Sequence, residues 1–135
     1  MTSSTLASEF VTDTMALVLR MESRKLGTVA RSILESVEAG KVRVFVPSMV
    51  FAEILYLAEG GKINTSLSAV QGYLQKYPNC REHPMDIAVV RSAAEITDIP
   101  ELHDRLIAGS ARLLNLQLIT NDPAIQASAF VKTIW

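Results

Sequence analysis

Short β-branched runs alternate with segments of helical period along this chain, and that alternation restricts the fold more than any other feature. Val42, Val44 and Val46, with Phe45 between them, form a strand pattern closed by Pro47. Ser48 then stands where it can cap a helix running through Leu57 to a Gly60-Gly61 stop. Earlier, Glu9 to Val11 rises into the polar turn Thr12-Asp13-Thr14, and Met15 to Leu19 begin a helix. Arg24 to Ala39 carries apolar residues at 26, 29, 30, 33, 34 and 37, one face of a helix stopped by Gly40. Ile63 to Tyr77 repeats that spacing at Leu67, Val70, Leu74 and Tyr77 and ends at Pro78, with a weak extended piece following from Arg81 to Met85. Two more helical patterns, Asp86 to Ile96 and Glu101 to Leu114, precede a short strand at Gln117 to Thr120 that enters Asn121-Asp122-Pro123. Val131 to Trp135 is the last strand pattern. Strands separated by helices need crossover connections, so the chain is expected to be an α/β domain with a mainly parallel sheet covered on both faces.

Length and composition narrow the function classes. A chain of 135 residues suits one domain, and 49% hydrophobic against 20% charged residues is too apolar for disorder. The longest apolar stretch, Val44 to Ala58, is broken by Pro47, Ser48 and Glu53 and falls short of the roughly 18 residues of a spanning helix, so no membrane is expected. Residues 1–8 read as a loose end with neither the basic start nor the apolar core of a secretion signal. Cys80 is the sole cysteine, which removes any internal disulfide, and together these features point to the cytoplasm. Cys80, His83 and His103 fall short of a closed zinc set. A formal net charge of -1 offers polyphosphates no general attraction, so contact with nucleic acid would need local basic residues or bound metal.

The carboxylates are more informative. Glu53 has Met49, Val50, Tyr56 and Leu57 as its helical neighbours, so a charge sits on an apolar face, where it must be protonated, paired or metal-bound. Asp104 repeats the pattern with Ile107, Ala108 and Ala111 on its side, although a first-turn charge or a pair with Arg105 or Arg112 would also account for it. Asp13 and Asp122 each follow a strand, where open parallel sheets form their ligand crevice. Each is also a plausible helix cap, Asp122 especially because Pro123 follows. Asp98 with Glu101 resembles a capping box and is assigned a structural role.

If the four carboxylates converge, they need cations, and oxygen-only ligands favour Mg²⁺ or Mn²⁺ and phosphoryl chemistry. Thr120 shares a strand side with Asp122 and is placed to orient a carboxylate or a water. No glycine-rich phosphate loop is present, and His83 and His103 read as surface or turn residues. A phosphoacceptor receiver-like domain and a non-catalytic acidic binding module remain alternatives, though the former leaves Glu53 and Asp104 without a role.

The segments FVTDTMALV, VPSMVFAEILYL, IPELHDRLIAGSARLLNLQLITND and VKTIW resemble the PIN-domain ribonucleases, most strongly the VapC-type toxins of prokaryotic toxin-antitoxin pairs. The resemblance runs from Glu9 to Trp135, although the first strand begins later than is usual there. It implies a single PIN-like three-layer α/β/α domain over residues 9–135 with a five-stranded sheet. It places the acidic site on Asp13, Glu53, Asp104 and Asp122; beside the last of these, Thr120 and Asn121 are expected as supporting groups. It further implies Mg²⁺- or Mn²⁺-dependent endoribonuclease activity on RNA, and a homodimer held inactive by a small antitoxin.

Overall fold

The computed structural model describes residues 8–135, so the tail expected over residues 1–8 lies outside the described residues except for Ser8, whose carbonyl accepts the Arg43 amide. The chain enters at β1 (Glu9–Thr12) and continues through α1 (Thr14–Met21) and α2 (Thr28–Glu38) to β2 (Arg43–Pro47). Next come α3 (Ser48–Glu59), α4 (Leu67–Lys76) and the edge strand β3 (Cys80–His83). The remaining elements are α5 (Ile87–Ala94), α6 (Leu102–Leu114), β4 (Leu118–Ile119), α7 (Pro123–Gln126) and β5 (Thr133–Ile134). The strands lie in the order β3-β2-β1-β4-β5, and every pairing is parallel. This is the expected α/β architecture. None of the described helices is long and apolar enough to cross a membrane.

The strand order places the site. From β1 at the centre the chain steps outward to β2 and β3, then returns to lay β4 on the other side of β1. The connections therefore diverge between β1 and β4, and a crevice opens beyond their C-terminal ends. Residues fully enclosed on both faces, among them Val11, Val44, Val46, Leu118 and Ile119, anchor this centre against Leu17, Leu34, Ile54 and Ile107 from the helices. Arg20 grips Glu38 with two hydrogen bonds of 2.9 and 2.6 Å, and the Tyr73 hydroxyl donates to the same carboxylate at 2.5 Å, tying α1, α2 and α4 together.

Several local expectations need correction. Ser48 does not cap α3: the cap position is Pro47, without a side-chain bond, and the Ser48 hydroxyl instead accepts the Met85 amide at 3.2 Å. The segment expected to be helical from Ile63 begins only at Leu67. Ser66 caps α4 by accepting from Ala69, while Glu22 gathers the amides of Asn64 and Thr65 and the Thr65 hydroxyl at 2.8 to 2.9 Å. Likewise α2 starts at Thr28, after Gly27, rather than at Arg24. Asp98 and Glu101 form no capping box, since Glu101 alone caps α6 by accepting the His103 amide. Asp98 binds the Ser128 hydroxyl and Ala129 amide at 2.7 and 2.8 Å, which keeps its role structural.

Helices α5 and α6 meet at Gly109, where an added Cβ would lie 2.9 Å from the Ala93 nitrogen and 3.0 Å from its Cα. The Ser92 hydroxyl donates to the Gly109 carbonyl at 2.8 Å across the same contact. Gly109→Ala gains about 1 kcal/mol of helix propensity but forces backbone apart in a packed interface. A net loss of about 1 to 2 kcal/mol in urea unfolding is expected. Equal or higher stability of the variant would show that the two helices do not approach this closely.

Candidate functional site

A cleft of about 690 Å³ occupies the crevice beyond β1 and β4, and Asp13, Glu53, Asp104, Asn121 and Asp122 all line it. Four different segments deliver the carboxylates. Asp13 follows β1, Glu53 projects from α3, Asp104 lies in the first turn of α6, and Asp122 opens α7. All four acidic residues singled out in the sequence line this one space. Apolar groups from Met15, Leu19, Met49, Ile107 and Trp135 form much of the surrounding wall.

Asp13 and Asp122 are helix caps as well as cleft residues, so the two readings of each are compatible. Asp13 Oδ1 accepts the Ala16 amide at 2.8 Å. Asp122 Oδ1 accepts the Ala124 and Ile125 amides at 2.8 and 3.4 Å, which leaves its Oδ2 uncommitted. The Thr120 hydroxyl bonds the Asp13 side chain and also accepts the Asp122 amide at 3.1 Å. Thr120 is fully buried and stands beside both Asp13 and Asp122, where β1 and β4 end.

Electrostatics couple the four groups. Burial pushes the Asp13 carboxyl up to about 6 against the bonds from Thr120 and Ala16, and repulsion from Glu53 and Asp122 adds to the rise. Asp104 is also raised to about 6, first by burial and then by the charges of Asp122, Glu53 and Glu101, with His103 opposing. Neither expected arginine relieves it: Arg112 pairs with Glu95, and no ion pair among the described residues includes Asp104. A group of carboxylates that is short of positive charge is electrostatically suited to a cation.

Among the described residues no three His, Cys, Asp or Glu side chains stand close enough to wrap one ion directly. The donors instead face one another across the cleft. That arrangement fits a hard divalent ion that keeps several waters, as Mg²⁺ does, and it does not fit a closed nitrogen and sulfur cage.

Two residues at the site carry more than the sequence showed. His103, read as a turn or surface residue, is exposed yet lines the cleft, with Nδ1 3.9 Å from Glu53 Oε2 and 3.5 Å from Glu101 Oε1. Its position directly before Asp104 was the available signal. Thr14, buried at the start of α1, donates its hydroxyl to Glu53 Oε1, a contact across 39 positions that no local pattern announces. His83, read as a surface or turn residue, is instead half-buried at the end of β3, edge-on to the Phe45 ring.

With this geometry, the family profile of the PIN domain matches residues 10–131. The chain belongs to the PIN domain family. Solved structures similar to this PIN domain include VapBC2 from Rickettsia felis bound to a DNA fragment from its promoter, with a TM-score of 0.71 at 18% identity. That match covers 94% of this chain and 98% of the other. A toxin-antitoxin complex from Klebsiella pneumoniae gives 0.62 at 14% identity, covering 93% and 96%. FitAcB from Neisseria gonorrhoeae gives 0.66 at 17%, also covering 93% and 96%. Identities in this range establish a common fold, in keeping with the VapC-type resemblance. No curated protein matches the chain.

Proposed function

We propose that this PIN domain is a Mg²⁺- or Mn²⁺-dependent endoribonuclease and the toxin of a toxin-antitoxin pair. The observation that carries the proposal is the convergence of Asp13, Glu53, Asp104 and Asp122 on one cleft, with Asp13 and Asp104 raised to about 6 by burial and mutual repulsion. The family match and the toxin-antitoxin complex among its structural neighbours support the reading.

Asp13, Glu53, Asp104 and Asp122 would hold the metal between them, in part through the waters that such an ion keeps. When bound, the ion supplies Lewis acidity at the phosphodiester and lowers the pKa of the attacking water. Asp13 is kept rigid for this task by its Ala16 and Thr120 bonds, and Asp122 by its two cap bonds. Thr120 and Asn121 support the fourth acidic position. With a net charge of -1 the chain gives RNA little general attraction, so approach of the phosphate to the cleft depends on prior neutralisation of its carboxylates. Single-stranded or looped RNA is the proposed substrate class, since unpaired segments are where proteins recognise RNA sequence.

The same charge logic bears on partners. A small antitoxin that inserts an Arg or Lys beside Asp13, Glu53 or Asp104 would replace the metal's charge, and a guanidinium suits this because it pairs bidentately with carboxylates. The toxin is proposed to act in the cytoplasm as a homodimer. Purified, partner-free protein should cleave single-stranded RNA in Mg²⁺ or Mn²⁺ and stop when EDTA is added. Undiminished cleavage in EDTA contradicts the metal mechanism, and absence of cleavage under every metal condition favours a non-catalytic acidic module.

A further inference from the structure

We infer that Thr14 is a positioning residue for the acidic centre, holding the Glu53 carboxylate so that one oxygen is committed to the protein and the other is presented to the cleft. This rests on the reading of Glu53 as part of a metal-binding site. Thr14 is the first residue of α1 and only 5% exposed, and its hydroxyl proton goes to Glu53 Oε1. The other oxygen, Oε2, is the one that lies toward α6, 3.9 Å from His103 Nδ1. No Lys or Arg is paired with Glu53 among the described residues, so Thr14 is its hydrogen-bonded support.

The arrangement links consecutive residues to two different acidic groups. Asp13 enters the cleft itself, while Thr14 restrains the acidic side chain opposite on α3. A glutamate has three rotatable side-chain bonds, and one fixed oxygen removes most of that freedom before any cation arrives. The packing of α1 against α3 thus sets the separation of Asp13 and Glu53 through adjacent positions of one helix start. Groups that orient metal-binding carboxylates from behind typically affect affinity by about tenfold to a hundredfold.

The test is Mn²⁺ affinity, measured by calorimetry on the partner-free chain, for wild type, Thr14→Val, Thr14→Ser and Glu53→Gln. Valine keeps the shape of threonine and removes the hydroxyl, whereas serine keeps the hydroxyl. Thr14→Val is expected to weaken Mn²⁺ binding by about tenfold or more, with Thr14→Ser near wild type. In a Glu53→Gln background, Thr14→Val should cost little further affinity, because the two residues act through one bond. Melts in EDTA verify folding, and Thr14→Ala replaces the valine variant if valine is not accommodated. Wild-type Mn²⁺ affinity in the hydroxyl-lacking variant, alongside weakened binding in Glu53→Gln, overturns the positioning role and leaves the metal site intact. Unchanged affinity in Glu53→Gln itself overturns both.

Discussion

Asp13→Asn should reduce RNA cleavage by at least about a hundredfold while leaving the fold intact, the range seen when one electrostatic contributor is removed from an active site. The substitution is unusually discriminating here. Asp13 Oδ1 caps α1 by accepting the Ala16 amide at 2.8 Å, and asparagine is as good a cap as aspartate. The side-chain oxygen and nearly all the volume are kept, and only the charge is lost. If Asp13 matters solely as a cap, the variant should be as active as wild type. Because Asp13 is buried and its carboxyl is raised to about 6, a neutral side chain should leave the metal-free protein at least as stable. Activity and stability are thereby expected to move in opposite directions, which a folding defect cannot imitate. Glu53→Gln and Asp104→Asn should also lose most activity, and wild-type rates in two of these three variants would reject the assigned site. Asp122→Asn extends the logic to the fourth position, where the cap on Ala124 and Ile125 is again preserved.

What the sequence made legible was whatever local pattern or a single burial argument could carry. The β-branched run at Val42 to Val46 became β2, and the apolar spacing of 26 to 37 became the buried face of α2. Glu53 and Asp104 stood out because each is a charge among apolar helical neighbours, and the cleft is where those helices meet. Errors arose where a residue's partner is remote. Ser48 had the right position for a cap, but the Met85 amide beyond β3 claimed its hydroxyl. Helical spacing continued back to Ile63, yet Glu22 of an earlier turn captured the Asn64 and Thr65 amides. Asp98 answered to Ala129 rather than to its near neighbour Glu101. Thr14 and Thr120 belong to the same class: each hydroxyl serves a carboxylate on another segment, and only the assembled sheet brings them together.

Stability in the absence of metal should fall as pH rises from about 4 to about 6, and millimolar Mn²⁺ should reverse that loss. The sign follows from the raised carboxyls. Between the ordinary value of 3.8 and about 6, the folded protein keeps protons on Asp13 and Asp104 that the unfolded chain has released. Folding is therefore favoured at the acid end of this window and loses that advantage as pH climbs through it. For Asp13, a rise from 3.8 to about 6 corresponds to about 3 kcal/mol. Asp104 is more open to solvent and contributes less. Glu38, held low by Arg20, acts with the opposite sign: its contribution is present above its ordinary value of 4.5 and is lost at more acid pH as it protonates. Metal that binds only the folded protein adds about 2.7 kcal/mol at a hundred times its dissociation constant, and it competes with the same protons, flattening the pH dependence. Melting curves in EDTA and in Mn²⁺ across pH 4 to 7.5 measure both effects. Asp104→Asn should leave the EDTA melt at pH 7 equal or higher while shrinking the Mn²⁺ gain, since it removes both a repelling charge and a ligand. A destabilised variant with an unchanged Mn²⁺ shift would instead make Asp104 a first-turn helix charge and exclude it from the acidic centre.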